Sequence, residues 1–143
     1  MKEYSKALPT GKTVTQKIDG ALELIEVISA ATVLTAADSG KKYILTAAAG
    51  AAITLPALAK WAFKFVTGSA FATTPWTIVA GTNVIFGNAL VNGAHVSCAS
   101  QNTINFIATA ETIGDSVDVF CDGTSIFVNG SGVSAGSITF TAP

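Results

Sequence analysis

From residue 41 onward the chain alternates apolar and polar positions with a period of two, in short runs broken by Gly, Pro, Asn and Ser. A period of two puts successive side chains on opposite faces of an extended strand. Trp61, Phe63 and Phe65 alternate with Ala62 and Lys64, so one face packs aromatic rings and the other is mostly solvated. Lys41–Thr46 and Ala51–Leu55 read as short strands joined by the turn 47–50. Further runs follow at Trp76–Ala80, Asn83–Phe86 and Ala89–Val91, bounded by Gly81 and Gly87, then at Ala94–Cys98, Thr103–Ala108 and Ser137–Thr141.

The clearest local signal is Ser116–Val128, where two alternating runs flank Asp122-Gly123. That pair favours a tight hairpin, because both residues tolerate positive φ. Residues 21–35 are ambiguous. Leu24, Val27, Ile28 and Ala31 would share a helical face, but Val27, Ile28, Thr32, Val33 and Thr35 are β-branched and suit a pleated surface, so the segment is read as strand. Residues 1–20 are polar, are interrupted by Pro9, Gly11 and Gly20, and carry Lys2, Lys6, Lys12 and Lys17. They read as an extended arm that cannot bury enough apolar surface to fold alone. The expectation is an all-β body over residues 21–143, an antiparallel sandwich or jelly-roll-like domain, preceded by that arm.

Charge changes the picture. Half of the 143 residues are apolar and only 12% are Asp, Glu, Lys or Arg, against about 25% in an ordinary soluble domain. A body so poor in charge is expected to be covered by sister subunits or a larger assembly. Eight Lys oppose nine acidic residues, and there is no Arg. Without a basic stripe to neutralise phosphates, nucleic acid is excluded as a partner. None of the four charged types occurs between Lys64 and Glu111. The uncharged stretch Tyr43–Ala59 is too short for a membrane span and contains Gly50 and Pro56. The first twelve residues offer no hydrophobic region of a signal peptide, so no membrane partner is expected.

Equipment for catalysis is sparse. His95 is the single histidine, and one histidine with Cys98 and Cys121 does not make a zinc site. Both cysteines sit on the apolar side of alternating runs and read as buried free thiols. Asp115 and Asp118 fall on opposite faces of a strand, and Glu111 with Asp115 reads as a solvated loop beside Gly114. Residues 131–136 lack the lysine of a phosphate-binding loop. Trp61, Phe71 and Trp76 could form a sugar-stacking platform, but core packing or a subunit interface is the simpler role. No enzyme, cofactor or metal is expected.

Leu34-Thr-Ala-Ala-Asp-Ser-Gly-Lys41, leading through Tyr43-Ile-Leu-Thr46 to Ile53-Thr-Leu-Pro56, resembles a recurring module of tailed-phage virion proteins in which "LTAADSGK" leads to "ITLP". Asn105–Ala108, Gly114–Val117 and Cys121–Thr124 are similar to its closing hairpin, though Ile126-Phe127 replaces the Trp-Tyr often found there. The resemblance covers residues 32–141. It implies a capsid decoration (cement) protein, a homotrimer on the outer surface of the virion that stabilises the shell, made in the host bacterial cytoplasm. The related implication is a β-rich piece of a tail fibre or tailspike that binds a host receptor or glycan. Under the first implication the partners are the chain itself and the major capsid protein. Lys2, Lys6, Lys12 and Lys17 would contact the capsid, and Phe71, Trp76 and Phe86 would lie at the subunit interface.

Overall fold

The computed structural model describes residues 24–143, so the arm 1–20, with Lys2, Lys6, Lys12 and Lys17, lies outside the described residues. In chain order the strands are β1 (Ile25–Ile28), β2 (Thr32–Val33), β3 (Lys42–Leu45), β4 (Ala52–Thr54), β5 (Lys60–Thr67), β6 (Trp76–Val79), β7 (Ile85–Val91), β8 (Ala94–Gln101), β9 (Thr103–Phe106), β10 (Ser116–Asp122), β11 (Ile126–Gly132) and β12 (Ile138–Thr141). A 3-10 turn at Ala36–Asp38 is the only helical element among the described residues. The ambiguous segment 21–35 thus yields β1 and β2, as its β-branched residues imply.

The strands form a seven-stranded sheet, ordered β1-β3-β5-β10-β11-β7-β8, and a five-stranded sheet, ordered β12-β9-β6-β4-β2. Their inner faces share one hydrophobic core, so the body is an all-β sandwich. Its two halves are wound differently. The first six strands alternate between the sheets: β1, β3 and β5 run parallel in one, and β2, β4 and β6 run parallel in the other. Each return to a sheet passes through a strand of the opposite sheet, so the chain makes a flattened coil. The second half is mostly antiparallel, with β10 joining β5 to β11 and β9 joining β6 to β12. The expected antiparallel arrangement therefore describes the second half apart from the parallel β7–β11 pair, while the first half is parallel. Side-chain alternation has the same period in both kinds of strand, so the pattern does not distinguish them.

The core starts from the aromatic face of β5. Trp61, Phe63 and Phe65 all point inward, and Tyr43 of β3 stacks on Phe65 with ring centroids 5.6 Å apart and planes 18° from parallel. Trp61 donates its indole N–H to the Ala57 carbonyl at 3.1 Å, so its polar atom is satisfied at the core's rim. Trp76, Ile78, Ile104 and Phe106 of the five-stranded sheet close the core from the other side. In the seven-stranded sheet the inward row runs from Phe65 to Tyr43 and then to Glu26, where the buried aromatics give way to an exposed carboxylate.

Turns set the strand register. Asn92-Gly93 is the two-residue turn of the β7–β8 hairpin, with φ of 50° and 75° and Val91 paired to Ala94. Asp122-Gly123 makes a hairpin too, but a wider one, since Cys121 pairs with Ile126. Only Gly123 takes positive φ there. The Asp122 carboxylate instead accepts from the Thr124 and Ser125 amides at 2.8 and 2.9 Å, which fixes the loop by hydrogen bonds. Gly87, expected to end a strand, lies inside β7 at φ 138°, where a Cβ would collide with the Val128 carbonyl oxygen of β11. A glycine is required there because two backbones approach too closely for any side chain.

Candidate interaction surface

The segment that carries the family resemblance forms a corner of the parallel coil. Leu34 is buried and anchors it. The Asp38 carboxylate accepts from the amide and hydroxyl of Thr35, each at 2.9 Å. Lys41 Nζ then bridges Asp38 and Glu26 at 2.9 and 3.0 Å. The Lys41 ammonium, helped by Thr35, holds the Asp38 carboxyl down at about 2, and the two carboxylates in turn push the Lys41 ammonium up. Ser39 Oγ accepts from the Ala62 amide at 3.0 Å, and the Gly40 amide donates to the Ala62 carbonyl at 2.8 Å. These residues tie β1, β3 and β5 together. The downstream Ile53 and Leu55 are buried under the same coil.

The outer face of the seven-stranded sheet carries three cross-strand rows. The first runs Ala62, Phe120, Phe127, Phe86 across β5, β10, β11 and β7. Phe120 is 52% exposed and Phe86 is 37% exposed. The next row is polar: Lys42, Lys64, Asp118, Asn129, Asn88 and Ser97. The third begins Val27, Ile44, Val66 and ends Leu90, His95. The polar strip is thus flanked on one side by the phenylalanine row and on the other by a row whose apolar residues are interrupted at its middle by Ser116 and Ser131. Within it Lys64 and Asp118 lie 3.5 Å apart, a loose solvent-exposed pair worth no more than about 1 kcal/mol. Two clefts share this pair, one of about 370 Å³ toward Asn129 and Ser131 and one of about 190 Å³ toward Lys42 and Phe120.

The five-stranded sheet differs in kind. Its strands contain no Asp, Glu, Lys, Arg or His. One outward row runs Thr139, Asn105, Thr77, Ala52, and the Asn105 amide donates to the hydroxyls of Thr139 and Thr141 at 3.3 and 3.2 Å. The surface is neutral and hydrogen-bonded within itself.

Of the three residues considered for a subunit interface, the structure leaves one on the surface. Phe71 is 1% exposed and Trp76 is fully buried, so both fill the chain's own core and have no surface to offer a neighbour. Phe86 lies in the phenylalanine row. Trp61 joins Phe71 and Trp76 inside, which removes the sugar-stacking platform those three would have formed. Phe120 and Phe127 were missed as surface residues. The signal was present, since Val117, Val119 and Cys121 facing inward sets Phe120 facing outward.

Groups capable of acid–base chemistry are placed apart. His95 is exposed on β8, and no hydrogen bond joins its ring to another described residue. Asp115 is buried rather than solvated, accepting from the Thr112 and Val133 amides at 2.8 and 3.0 Å. Glu111 accepts from the Phe71 amide at 2.8 Å. These two carboxylates brace a loop whose amides would otherwise lack partners. Cys98 and Cys121 are both buried and free, and burial pushes the Cys98 thiol up to about 11. Among the described residues no three His, Cys, Asp or Glu side chains gather as a metal site, and no helix is long and apolar enough to cross a membrane.

Comparison with family models, curated proteins and solved structures finds no match to this chain.

Proposed function

We propose that the chain is a non-enzymatic structural protein of a virion, which binds the outer surface of a tailed-phage capsid as a homotrimer and stabilises the shell. The row of outward-facing phenylalanines, Phe86 and Phe120 exposed and Phe127 half-buried between them, carries the reading. It gives an apolar strip at the middle of a broad sheet, and contact with sister subunits removes that strip from water at about 25 cal/mol per Å². The charge distribution supports it. Lys41 pairs with both Glu26 and Asp38, Lys64 faces Asp118, and Asp115 accepts from backbone amides, so most of these charges already have partners within the chain. Few ionised groups remain to be desolvated when subunits meet, and that desolvation is the usual obstacle to burying a surface. The resemblance of residues 34–56 to virion modules names the kind of assembly. The major capsid protein is the second partner in this reading.

The test is to measure copy number in purified particles together with the mass of the free protein. A copy number that matches the shell lattice is expected, with a free protein whose mass is a multiple of three chains and which loses its three-fold association in a still-folded Phe120→Asp variant. A wild-type protein that stays monomeric at high concentration and does not bind shells overturns the reading.

One observation favours the tail-module alternative. Of the two clefts beside Lys64 and Asp118, one sets lysines beside the Phe120 ring and the other sets Asn129, Ser116 and Ser131 beside Leu90, a mixture of polar and apolar groups suited to sugars. A copy number of tail rather than shell size, with binding on a glycan array, selects that reading instead.

A further inference from the structure

The two edges of the seven-stranded sheet are finished differently. At one end β1 places Glu26 in the inward row beside Tyr43, its carboxylate 3.0 Å from Lys41 Nζ. A strand laid against that edge would have to cover a charge, which is one of the ways natural sheets block their edges. At the other end β8, Ala94-His-Val-Ser-Cys-Ala-Ser-Gln101, is eight residues long, the same length as the interior strand β5. It contains no Asp, Glu, Lys or Pro, and its one irregularity is a bulge near Ser100, which leaves Ala94–Cys98 in regular register.

The Asn92-Gly93 turn determines which backbone groups of β8 face outward. In a two-residue hairpin the flanking pair, Val91 and Ala94, exchanges hydrogen bonds, and alternate pairs repeat the pattern. Ala89–Val96 and Gly87–Cys98 are therefore bonded pairs, whereas Leu90–His95 and Asn88–Ser97 are not. The N–H and C=O groups of His95 and Ser97 point away from β7. Neither residue makes a backbone bond to any other element among the described residues. The run ends at Ser100, whose φ of 57° breaks the extended conformation.

We propose that β8 pairs antiparallel with β8 of a second copy of this chain, joining two seven-stranded sheets across a two-fold axis at Ser97. An identical strand suits this edge for three reasons. The outward donor and acceptor of Ser97 meet the same groups of the second copy across the axis, so the two edges satisfy each other there. Pairing about Ser97 sets His95 opposite Ala99 of the second copy, so no like charges meet. The edge also lacks the side-chain pockets or charges by which a foreign strand would be selected, leaving backbone complementarity as the recognition element. The contact uses only the rim of the sheet. The phenylalanine row lies on the face, so both can be engaged at once, and this pairing does not rest on the virion reading.

The test uses the full chain. Ser97→Cys is expected to give a disulfide-linked pair on mild oxidation, because the bonded pair at the axis brings the two Cα atoms to about 5.5 Å. Ser97→Pro, which removes an outward N–H at a position where an edge strand accepts proline, and Ser97→Lys, which adds a charge to the edge, should each halve the mass of the assembly in solution. Both variants should retain the wild-type circular dichroism and tryptophan emission. A wild-type mass unchanged by either variant, with no cross-link at residue 97, overturns the proposal. So does a protein whose mass is unchanged but whose attachment to another protein is lost in Ser97→Lys, since the edge would then serve a different occupant.

Discussion

Phe120 and Phe127 stand side by side on the outer face of the seven-stranded sheet, their ring centroids 5.3 Å apart and their planes inclined by 31°. The same ring-to-ring distance inside a core would stabilise the fold, but here both rings face outward. Replacing Phe120 by Ala should therefore change the unfolding free energy of the isolated chain by less than about 1 kcal/mol, whereas Phe65→Ala in the core should cost about 3–5 kcal/mol. Urea unfolding of the two variants, read beside their masses in solution, separates the roles. A large stability loss in Phe120→Ala would place that ring in folding rather than association.

Gly87→Ala should be among the most damaging single-methyl changes in the chain. The residue sits at φ 138°, and the added Cβ meets the Val128 carbonyl oxygen rather than a movable side chain. Backbone strain of this kind costs about 1–3 kcal/mol before any displacement of β11 is counted. A thermal shift of several degrees downward is expected for Gly87→Ala. Gly93→Ala, where a Cβ would meet open space and only the positive φ of 75° is at stake, should show a smaller shift.

Acid should loosen the corner of the coil. Asp38 titrates near 2 in the folded chain, below its ordinary 3.8, because Lys41 and Thr35 favour the carboxylate. A depressed folded value means that the contribution is complete above about pH 4 and is lost as pH falls toward 2. In Asp38→Asn that part of the pH dependence should vanish, so the stability difference between wild type and variant narrows as pH falls from 4 to 2. A difference that stays constant over this window would show that the corner does not depend on the charge.

Thiol chemistry reports the core. Burial raises the Cys98 thiol to about 11, and Cys121 is buried as well. At pH 8 neither should react with a disulfide exchange reagent until the chain unfolds, whereupon two thiols appear together. For Cys98 the sign of the linkage follows from the raised value: its contribution is complete below the unfolded thiol's range near 8.5 and is lost as pH rises toward 11. Fast reaction of one thiol in the native protein would contradict the inward placement of that strand face.

The alternation of Trp61, Phe63 and Phe65 with Ala62 and Lys64 was enough to find both the strand and its buried face. The same parity rule, applied to Val117, Val119 and Cys121, locates Phe120 on the surface. Two things were illegible for physical reasons. A residue cannot tell from its own alternation whether its neighbour strand runs with it or against it, so the parallel coil of β1 to β6 had no signature. Composition also misled at Phe71 and Trp76, because a charge-poor stretch reads the same whether it lines an interface or the core. Glu111 and Asp115 looked like a solvated loop because a carboxylate spent on backbone amides leaves no trace in sequence spacing. Asn92-Gly93, by contrast, is legible as a two-residue turn, because Asn-Gly is the pair that tolerates positive φ at both positions.

The five-stranded sheet has no side chain that gains or loses a proton. To a neighbour it therefore looks the same in acid, in alkali and in brine. A contact made through that side of the molecule would be insensitive to the solution around it, whereas one leaning on Lys64 and Asp118 would weaken as salt rises.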